Sequence, residues 1–457
     1  MQTDVLIVGA GSAGSILAER LSSDPGCGVA VLEAGPPAVP PRAGDAYLVP
    51  IGPGSPVISR YPATLTDTPR REVDLVRGAV VGGSGAINGG YFCRGVPADF
   101  AGWQTPGWSW DDVLPHFRAI ETDLDFAGPL HGDSGPIPVR RTREFSSGTE
   151  LFVRSVLAMG FRWIDDLNGD GAADGVGALP LNVRDGTRVG PGAAFLGPVA
   201  RRPNLVVHPA TRAQRIRFSG TRAVGVDALG PSGPVHYPAD RVVLCAGAIG
   251  TAQLLQVSGC GPADVLGAAG IPVLANLPVG ARFHDHPEWV LPVDWPASGG
   301  RTPIEAALSV DGLEIRLYTS GFAQMTGEPP SDPPHIGVAL MRPAARGRLT
   351  VSSPDIAVAP VIEHHYDSVA EDVEALRRGA ELAREIAGVL DREANWSTTQ
   401  HLCGTAPLGT VLDQRCRVLG VDGLWVADGS IMPTATSRGP HATIAMIGHR
   451  AAELIAD

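Results

Sequence analysis

The first thirty-three residues constrain the fold more than any other stretch. Asp4-Val5-Leu6-Ile7-Val8 is a short apolar run suited to a buried parallel strand, and Gly9-Ala10-Gly11-Ser12-Ala13-Gly14 follows it directly. Ser15–Leu21 continues as an amphipathic helix, and Val29-Ala30-Val31-Leu32 reads as a second strand ending in Glu33-Ala34. A lone G-x-G-x-x-G says little. Set between strand, helix, strand and acid, it specifies a βαβ dinucleotide-binding unit. Gly11 lets a pyrophosphate approach the helix N-terminus, and Glu33 accepts hydrogen bonds from an adenosine ribose. The acid argues against a ribose 2′-phosphate and hence against NADP; FAD and NAD both remain.

The glycine-rich run Arg77–Gly95 offers a backbone that a large flat ligand can approach closely. Amides freed by its turns can bond a pyrophosphate or a heteroaromatic edge, and Asn88 adds a side-chain donor and acceptor. The same composition also suits a turn pair or bulge. Arg241–Leu244 looks like another buried strand, running through Cys245, Ala246 and Gly247 into a helix over Thr251–Val257, as when a doubly wound sheet returns to the same dinucleotide.

Composition excludes several classes. The 457 residues suffice for one large or two medium domains. No lysine occurs, which removes Schiff-base chemistry on lysine, and a net charge of −12 without a basic stripe argues against nucleic acid. No basic leader or long apolar run is present, so a cytoplasmic chain is expected, peripheral to the cytosolic side of a membrane at most. Six cysteines without a Cys-x-x-Cys pair point to free thiols. His284-Asp285-His286 has metal-like spacing but lacks further ligands nearby, so a loop hydrogen-bond network is expected and no metal.

Residues 36–76 are Pro-rich and read as an irregular excursion. Trp103, Trp108 and Trp110 precede a helix over Asp111–Glu121 and suit packing, while His131 sits in a turn as a solvated or capping histidine. Between Glu288 and Val361 apolar and polar residues alternate, notably in Leu313–Tyr318 and His335–Leu340. That pattern predicts an antiparallel sheet with one face covered and the other toward solvent or a ligand. Ser368-Val369-Ala370-Glu371 reads as a capping box for a helix to about Ile386. Gly423–Ser430 is a strand and turn, and Thr443–Ala456 a closing helix. His401 and His441 bracket this last segment.

Together these pieces resemble the GMC (glucose–methanol–choline) oxidoreductases, FAD-dependent alcohol-oxidising enzymes. The βαβ unit, Arg77–Gly95, Gly247–Pro262, His401–Thr405 and Asp428–Thr443 follow that family's motifs in order. Gly89–Arg94 and Trp108–Gly132 look like the mycofactocin-associated subgroup. The resemblance implies an α/β, Rossmann-like FAD-binding domain (1–140, 200–287 and 402–457) with an inserted α+β substrate domain built on an antiparallel sheet (141–199 and 288–401). It implies His401 as the base that takes the alcohol proton while hydride passes to flavin N5, with His441 as its partner.

By the same resemblance, Gly9, Gly11, Ser12, Ala13, Gly14, Glu33 and Ala34 hold the ADP half, with Ala213 by the adenine. Arg77, Gly83, Ser84, Asn88, Gly89, Gly90, Ala246, Gly247, Asp428, Gly429, Ala442 and Thr443 complete the flavin cradle. Ile87 stands where some members attach flavin through His, so non-covalent FAD is expected. Ala406 and Leu408 depart from the family's usual Cys and Met. The implied activity is oxidation of mycofactocinol to its ketone, with electrons passing to the respiratory chain; the alternative is an O₂-using oxidase of a small alcohol or sugar.

Overall fold

The structure is a computed structural model that describes residues 3–37, 44–169, 171 and 174–456. Its organising layer is a five-stranded parallel sheet in the order Leu205–His208, Val29–Leu32, Val5–Val8, Arg241–Leu244 and Leu424–Val426. The central strands are fully buried, as continuous apolar runs covered on both faces must be. Their C-terminal ends lead into Gly9, Glu33, Cys245 and Ala427, so the expected cofactor residues gather along one edge, where doubly wound sheets bind ligands. A three-stranded antiparallel sheet, Arg212–Ser219, Arg222–Gly230 and Gly233–Pro238, projects beside it.

A second, six-stranded antiparallel sheet runs Asn395–Thr398, Pro287–Pro292, His335–Leu340, Leu313–Tyr318, Ile304–Val310 and Gly175–Ala178. Period-two alternation sorts its two faces. Leu313, Ile315 and Leu317 join Ile336, Val338 and Leu340 in one apolar cluster, packed with Phe152 and Val156 from helix Ser147–Ala158 and Leu376 and Ala383 from helix Ala370–Ala387. The alternate residues Glu288, Glu305, Ser309, Glu314 and Arg316 are buried too. The polar face is therefore not a solvent face; it packs over the segments that carry the histidines.

Several expectations need correction. The stretch read as an irregular excursion contains two long strands, Ile58–Asp67 and Arg70–Gly78, which pair as a hairpin and join Arg348–Thr350 and Val361–Glu363 in a four-stranded sheet. Its prolines and charged residues masked a hairpin whose tip is exposed. Residues 38–43 of that stretch lie outside the described residues. Ser368 does not cap its helix: its hydroxyl donates to the His365 carbonyl, and the helix begins at Ala370 after Val369 with no side-chain cap. The closing helix starts at His441, two residues earlier than expected, and the helix after Ala246 starts at Gly247. His131 is buried rather than solvated. Its Nδ1 meets Asp123 and its Nε2 meets Asp166, each at 3.0 Å. The two carboxylates raise it to about 9, against the opposing effect of burial.

Other readings stand. Trp103 and Trp108 are buried among Phe100 and Phe117, and Ser109 caps the helix Trp110–Ile120 through the Asp112 amide. All six cysteines are free thiols.

Candidate active site

Two glycine loops meet at the sheet's C-terminal edge. A Cβ at Gly83 would sit 2.8 Å from Gly11 Cα, and the Gly82 amide donates to the Ala10 carbonyl. Within the first loop the glycines have different reasons. Gly9 has φ +103°, and a Cβ there would lie 2.4 Å from the Cys245 carbonyl oxygen; Gly14 would strike the Gly9 carbonyl at 2.0 Å. Gly11 has neither constraint, since a Cβ there would meet nothing of the protein closer than 3.8 Å. The open space beside Gly11, at the N-terminus of helix Ser12–Leu21 with no side chain capping its amides, is what an incoming pyrophosphate requires.

Around this cradle the expected residues divide by task. Glu33 is buried and receives the Ala10 and Gly35 amides at 3.0 and 2.8 Å; burial pushes its carboxyl upward against these bonds. Ala34 beside it is exposed, and the Thr211 amide donates to the Glu33 carbonyl, which brings Ala213 to the same end. Ser84 turns back to accept from the Gly78 amide.

Asp428 is saturated by protein donors. Gly247 and Thr251 supply one carboxylate oxygen, and the amide and hydroxyl of Ser430 the other. It thus acts as the clamp that joins the Ala246–Gly247 turn to Gly429, and its carboxylate is not a free contact for a ligand. Ala442 and Thr443 are fully buried in the first turn of the last helix, and further along it a Gly448 Cβ would lie 2.6 Å from the Ala13 carbonyl oxygen.

Three buried polar groups at this edge have no hydrogen-bond partner among the described residues: His441 Nε2, Thr443 Oγ1 and one terminal guanidinium nitrogen of Arg77. Buried polar atoms are rarely left so, because each costs about 1–3 kcal/mol unsatisfied. Together with the open Gly11 cradle, they fit a large polar heterocyclic cofactor such as FAD.

The two predicted histidines come from separate elements. His441 opens the last helix. Its Nδ1 lies 3.0 Å from Asn88 Nδ2, while Asn88 Oδ1 accepts from the Gly90 amide and so fixes the side-chain amide's orientation. Phe92 packs edge-on against the ring. A Cβ at Gly85 would come within 2.6 Å of His441 Nε2, so the ring looks onto the glycine loop itself. Burial lowers His441 to about 4.

His401 follows the strand Asn395–Thr398. Gln400 before it adopts φ +61°, and its side-chain oxygen takes the Val76 amide and an Arg77 N–H, tying His401 to the entry of the glycine loop. A Cβ at Gly439 would lie 3.3 Å from the His401 ring and 3.0 Å from Tyr91, so this glycine keeps the space between them open. Burial above all, then the neighbouring His286 and Arg316, holds His401 well below the ordinary histidine value.

A third histidine, missed as a participant, completes the arrangement. The segments around His284 and Cys403 run antiparallel and place His286 opposite His401, Nδ1 to Nδ1 at 2.9 Å with the rings nearly perpendicular. Asp285 underpins both. One oxygen accepts the His286 and His401 amides at 2.8 and 2.7 Å, and the other accepts from His364 Nε2 and the Thr398 hydroxyl. Burial pushes Asp285 up, but the His364 hydrogen bond, the neighbouring imidazoles and the Arg77 guanidinium outweigh it and keep the carboxyl below the usual carboxylate range. The expected loop network is present, and it leads to the candidate base.

Over this pair lies the polar face of the six-stranded sheet. Arg316 bridges Glu288 and Glu314, Tyr318 adds its hydroxyl to Glu288, and Tyr91 donates to Glu314 at 2.7 Å. Fold and site define a dinucleotide-binding oxidoreductase with half-buried imidazoles, His401 and His441, near the glycine loops.

Comparison with known proteins identifies the family. Profiles of the GMC oxidoreductase N- and C-terminal regions match residues 3–288 and 343–448. The chain belongs to the GMC oxidoreductase family, and it is an FAD-dependent oxidoreductase acting on CH–OH groups. It is similar to a GMC-type oxidoreductase from the thcA 5′ region of Rhodococcus erythropolis, at 39% identity over 99% of this chain and 98% of that one. An oxygen-dependent choline dehydrogenase of Brucella ovis is 30% identical over 100% and 96%. Among solved structures, pyridoxine 4-oxidase from Mesorbium loti superposes with a TM-score of 0.91 at 28% identity, covering 99% of each chain.

Proposed function

We propose that the protein is an alcohol dehydrogenase in which His401 accepts the hydroxyl proton of the substrate and His441 orients the reacting group. The observation that carries this reading is the pair of half-buried imidazoles held toward their neutral form, each with one nitrogen engaged by the protein and the other left for chemistry. An alcohol releases hydride readily only as an alkoxide-like species, and a neutral imidazole can take that proton near pH 7. FAD, held without a covalent bond by Gly9–Gly14, Glu33, the Arg77–Gly90 loop and Thr443, supplies the two-electron acceptor. Ile87 is buried against Val57 and Val80 and offers no nucleophile for covalent attachment.

His441 has a complementary task. Asn88 Nδ2 faces its Nδ1, which therefore accepts, leaving the ring proton on Nε2. The two histidines are thus an acceptor and a donor: His401 receives a proton, and His441 directs an N–H into the site.

The substrate proposed is mycofactocinol, with electrons leaving for the respiratory chain, on the resemblance of Gly89–Arg94 and Trp108–Gly132. Of these, Tyr91 lies against the site, whereas Trp108 and Phe117 are core residues and touch no substrate space. Choline, which the Brucella relative's name specifies, suits this site poorly. The carboxylates of Glu288 and Glu314 are both committed to Arg316, so neither is spare for a quaternary ammonium. Anaerobic bleaching of the flavin band by mycofactocinol, choline, glucose and pyridoxine in parallel tests the reading. Bleaching by mycofactocinol with slow recovery in air supports it. Bleaching by a small alcohol with prompt recovery and peroxide makes the protein an oxidase instead.

A further inference from the structure

A second group of metal-ligating side chains lies away from the flavin cradle, between the helix Trp110–Ile120 and the last helix, His441–Ala456. His449 and Glu453 stand four positions apart and so share one face of the last helix. His116 meets them from the other helix. Its Nδ1 is 2.9 Å from His449 Nδ1, and its Nε2 is 3.7 Å from Glu453 Oε2. One ligand atom from each of the three lies within 4.8 Å of the other two.

Two imidazoles and a carboxylate are a donor set that zinc-class divalent metals select, with bonds of about 2.0–2.2 Å in a four-coordinate site. Neighbouring donors on such an ion stand about 3.3–3.4 Å apart, between the two spacings found here. Both histidines are buried, whereas the Glu453 side chain is about half exposed, so the cluster opens to solvent on the carboxylate's side. That carboxylate is the member free to swing onto an ion. Burial keeps both rings neutral at pH 7, the form a metal ligand requires.

The groups that oppose a metal face the same cluster. Arg450 Nη1 lies 3.3 Å from His116 Nε2 and 3.5 Å from Glu453 Oε2, so a guanidinium already serves as the cation between two of the three ligands. Its Nη2 donates to the Gly107 carbonyl at 3.0 Å, which anchors it at the cluster's edge. Arg20 adds a second positive charge nearby, and Asp112 a negative one.

We propose that His116, His449 and Glu453 form a binding site for a zinc-class divalent metal ion, completed by water, in which the ion displaces the Arg450 Nη1 contact and ties helix Trp110–Ile120 to the last helix. The three ligands come together only in the folded chain, so the ion stabilises that state. The last helix begins at His441 and packs through Gly448 against Ala13. The clamp therefore steadies the element that carries the second histidine of the flavin site, without adding a group to the chemistry.

The test titrates the flavin-loaded protein, freed of metal with EDTA, with zinc chloride by calorimetry, and follows the melting temperature with and without zinc. Parallel experiments use H449Q, E453Q and R450Q. The wild type should bind one zinc ion per chain at this site and melt at a higher temperature in its presence. H449Q and E453Q should each weaken binding at least about tenfold and lose the rise in melting temperature. R450Q should act in the opposite direction and tighten binding, because the competing cation is gone. No zinc-dependent rise in the wild type, zinc binding that survives both H449Q and E453Q, or weaker binding in R450Q overturns the proposal. If H449Q does not fold, E453Q and R450Q decide, since both replace side chains that reach solvent.

Discussion

Asn88 Nδ2 and His441 Nδ1 lie 3.0 Å apart across 353 residues of sequence, joining the glycine loop to the first residue of the last helix. Because Asn88 Oδ1 already holds the Gly90 amide, the contact fixes the loop and the imidazole as one unit. Asn88→Leu leaves the His441 nitrogen and the Gly90 amide without partners, a loss of about 1–3 kcal/mol. If that loss falls on the transition state, kcat drops about 10- to 100-fold. Stopped-flow flavin bleaching with flavin content measured in parallel checks this.

Gly11 and Gly9 separate ligand space from fold space. Gly11→Ala meets no protein atom closer than 3.8 Å, so its melting temperature without flavin should match the wild type while FAD affinity falls at least tenfold. Gly9→Ala places a Cβ 2.4 Å from the Cys245 carbonyl at a left-handed φ, and should destabilise the chain itself. Thermal melts with and without added FAD, together with a flavin-binding titration, distinguish the two.

Two sets of histidines bound the pH range of stability. Burial lowers His116, His441 and His449 to about 4 in the folded chain, against about 6.5 unfolded. Between those values the unfolded chain binds more protons, so stability falls as pH drops from 6.5 toward 4. His131 has the opposite sign. Raised to about 9 by Asp123 and Asp166, it contributes fully below 6.5, and that contribution is lost as pH rises through 9. Melting temperature against pH should show a plateau between the two limbs, and His131→Gln should remove the alkaline limb alone.

Catalysis should follow its own acid limb. Since His401 is held well below the usual histidine value, kcat/KM should stay flat from neutral pH to below 6.5 and fall only when His401 becomes protonated. A profile that declines already above pH 7 would mean that another group is titrating.

Arg316 pairs with both Glu288 and Glu314, at 2.7 and 2.5 Å, and all three side chains are buried. Arg316→Met strands two buried carboxylates and should cost about 3–5 kcal/mol of stability, whereas the triple change with Glu288→Gln and Glu314→Gln should restore most of it. Chemical denaturation of the three proteins measures this.

Much of the site was legible because its chemistry is written locally. The strand, glycines and acid of residues 4–33 lie next to one another, and the sheet strands Leu313–Tyr318 and His335–Leu340 match the alternation to the residue. What escaped was set by distance. His286 and His401 are separated by 115 positions, and nothing near either one signals the other. The hairpin of Ile58–Gly78 was hidden by prolines and by an exposed, charged tip. Ser368 has the spacing of a cap, yet its hydroxyl donates to the His365 carbonyl three residues back instead of accepting a helix amide. His131 looked solvated because the carboxylate at Asp166 reaches it from 35 residues downstream.

The central claim is that His401 is the base for alcohol oxidation at a bound flavin. Its most direct test is anaerobic flavin bleaching, wild type against H401A, with the alcohol that reacts fastest. The account predicts full bleaching by the wild type and a rate at least a hundredfold lower in H401A that rises with the pH of the medium, at equal flavin content. Equal rates in the two proteins would contradict it.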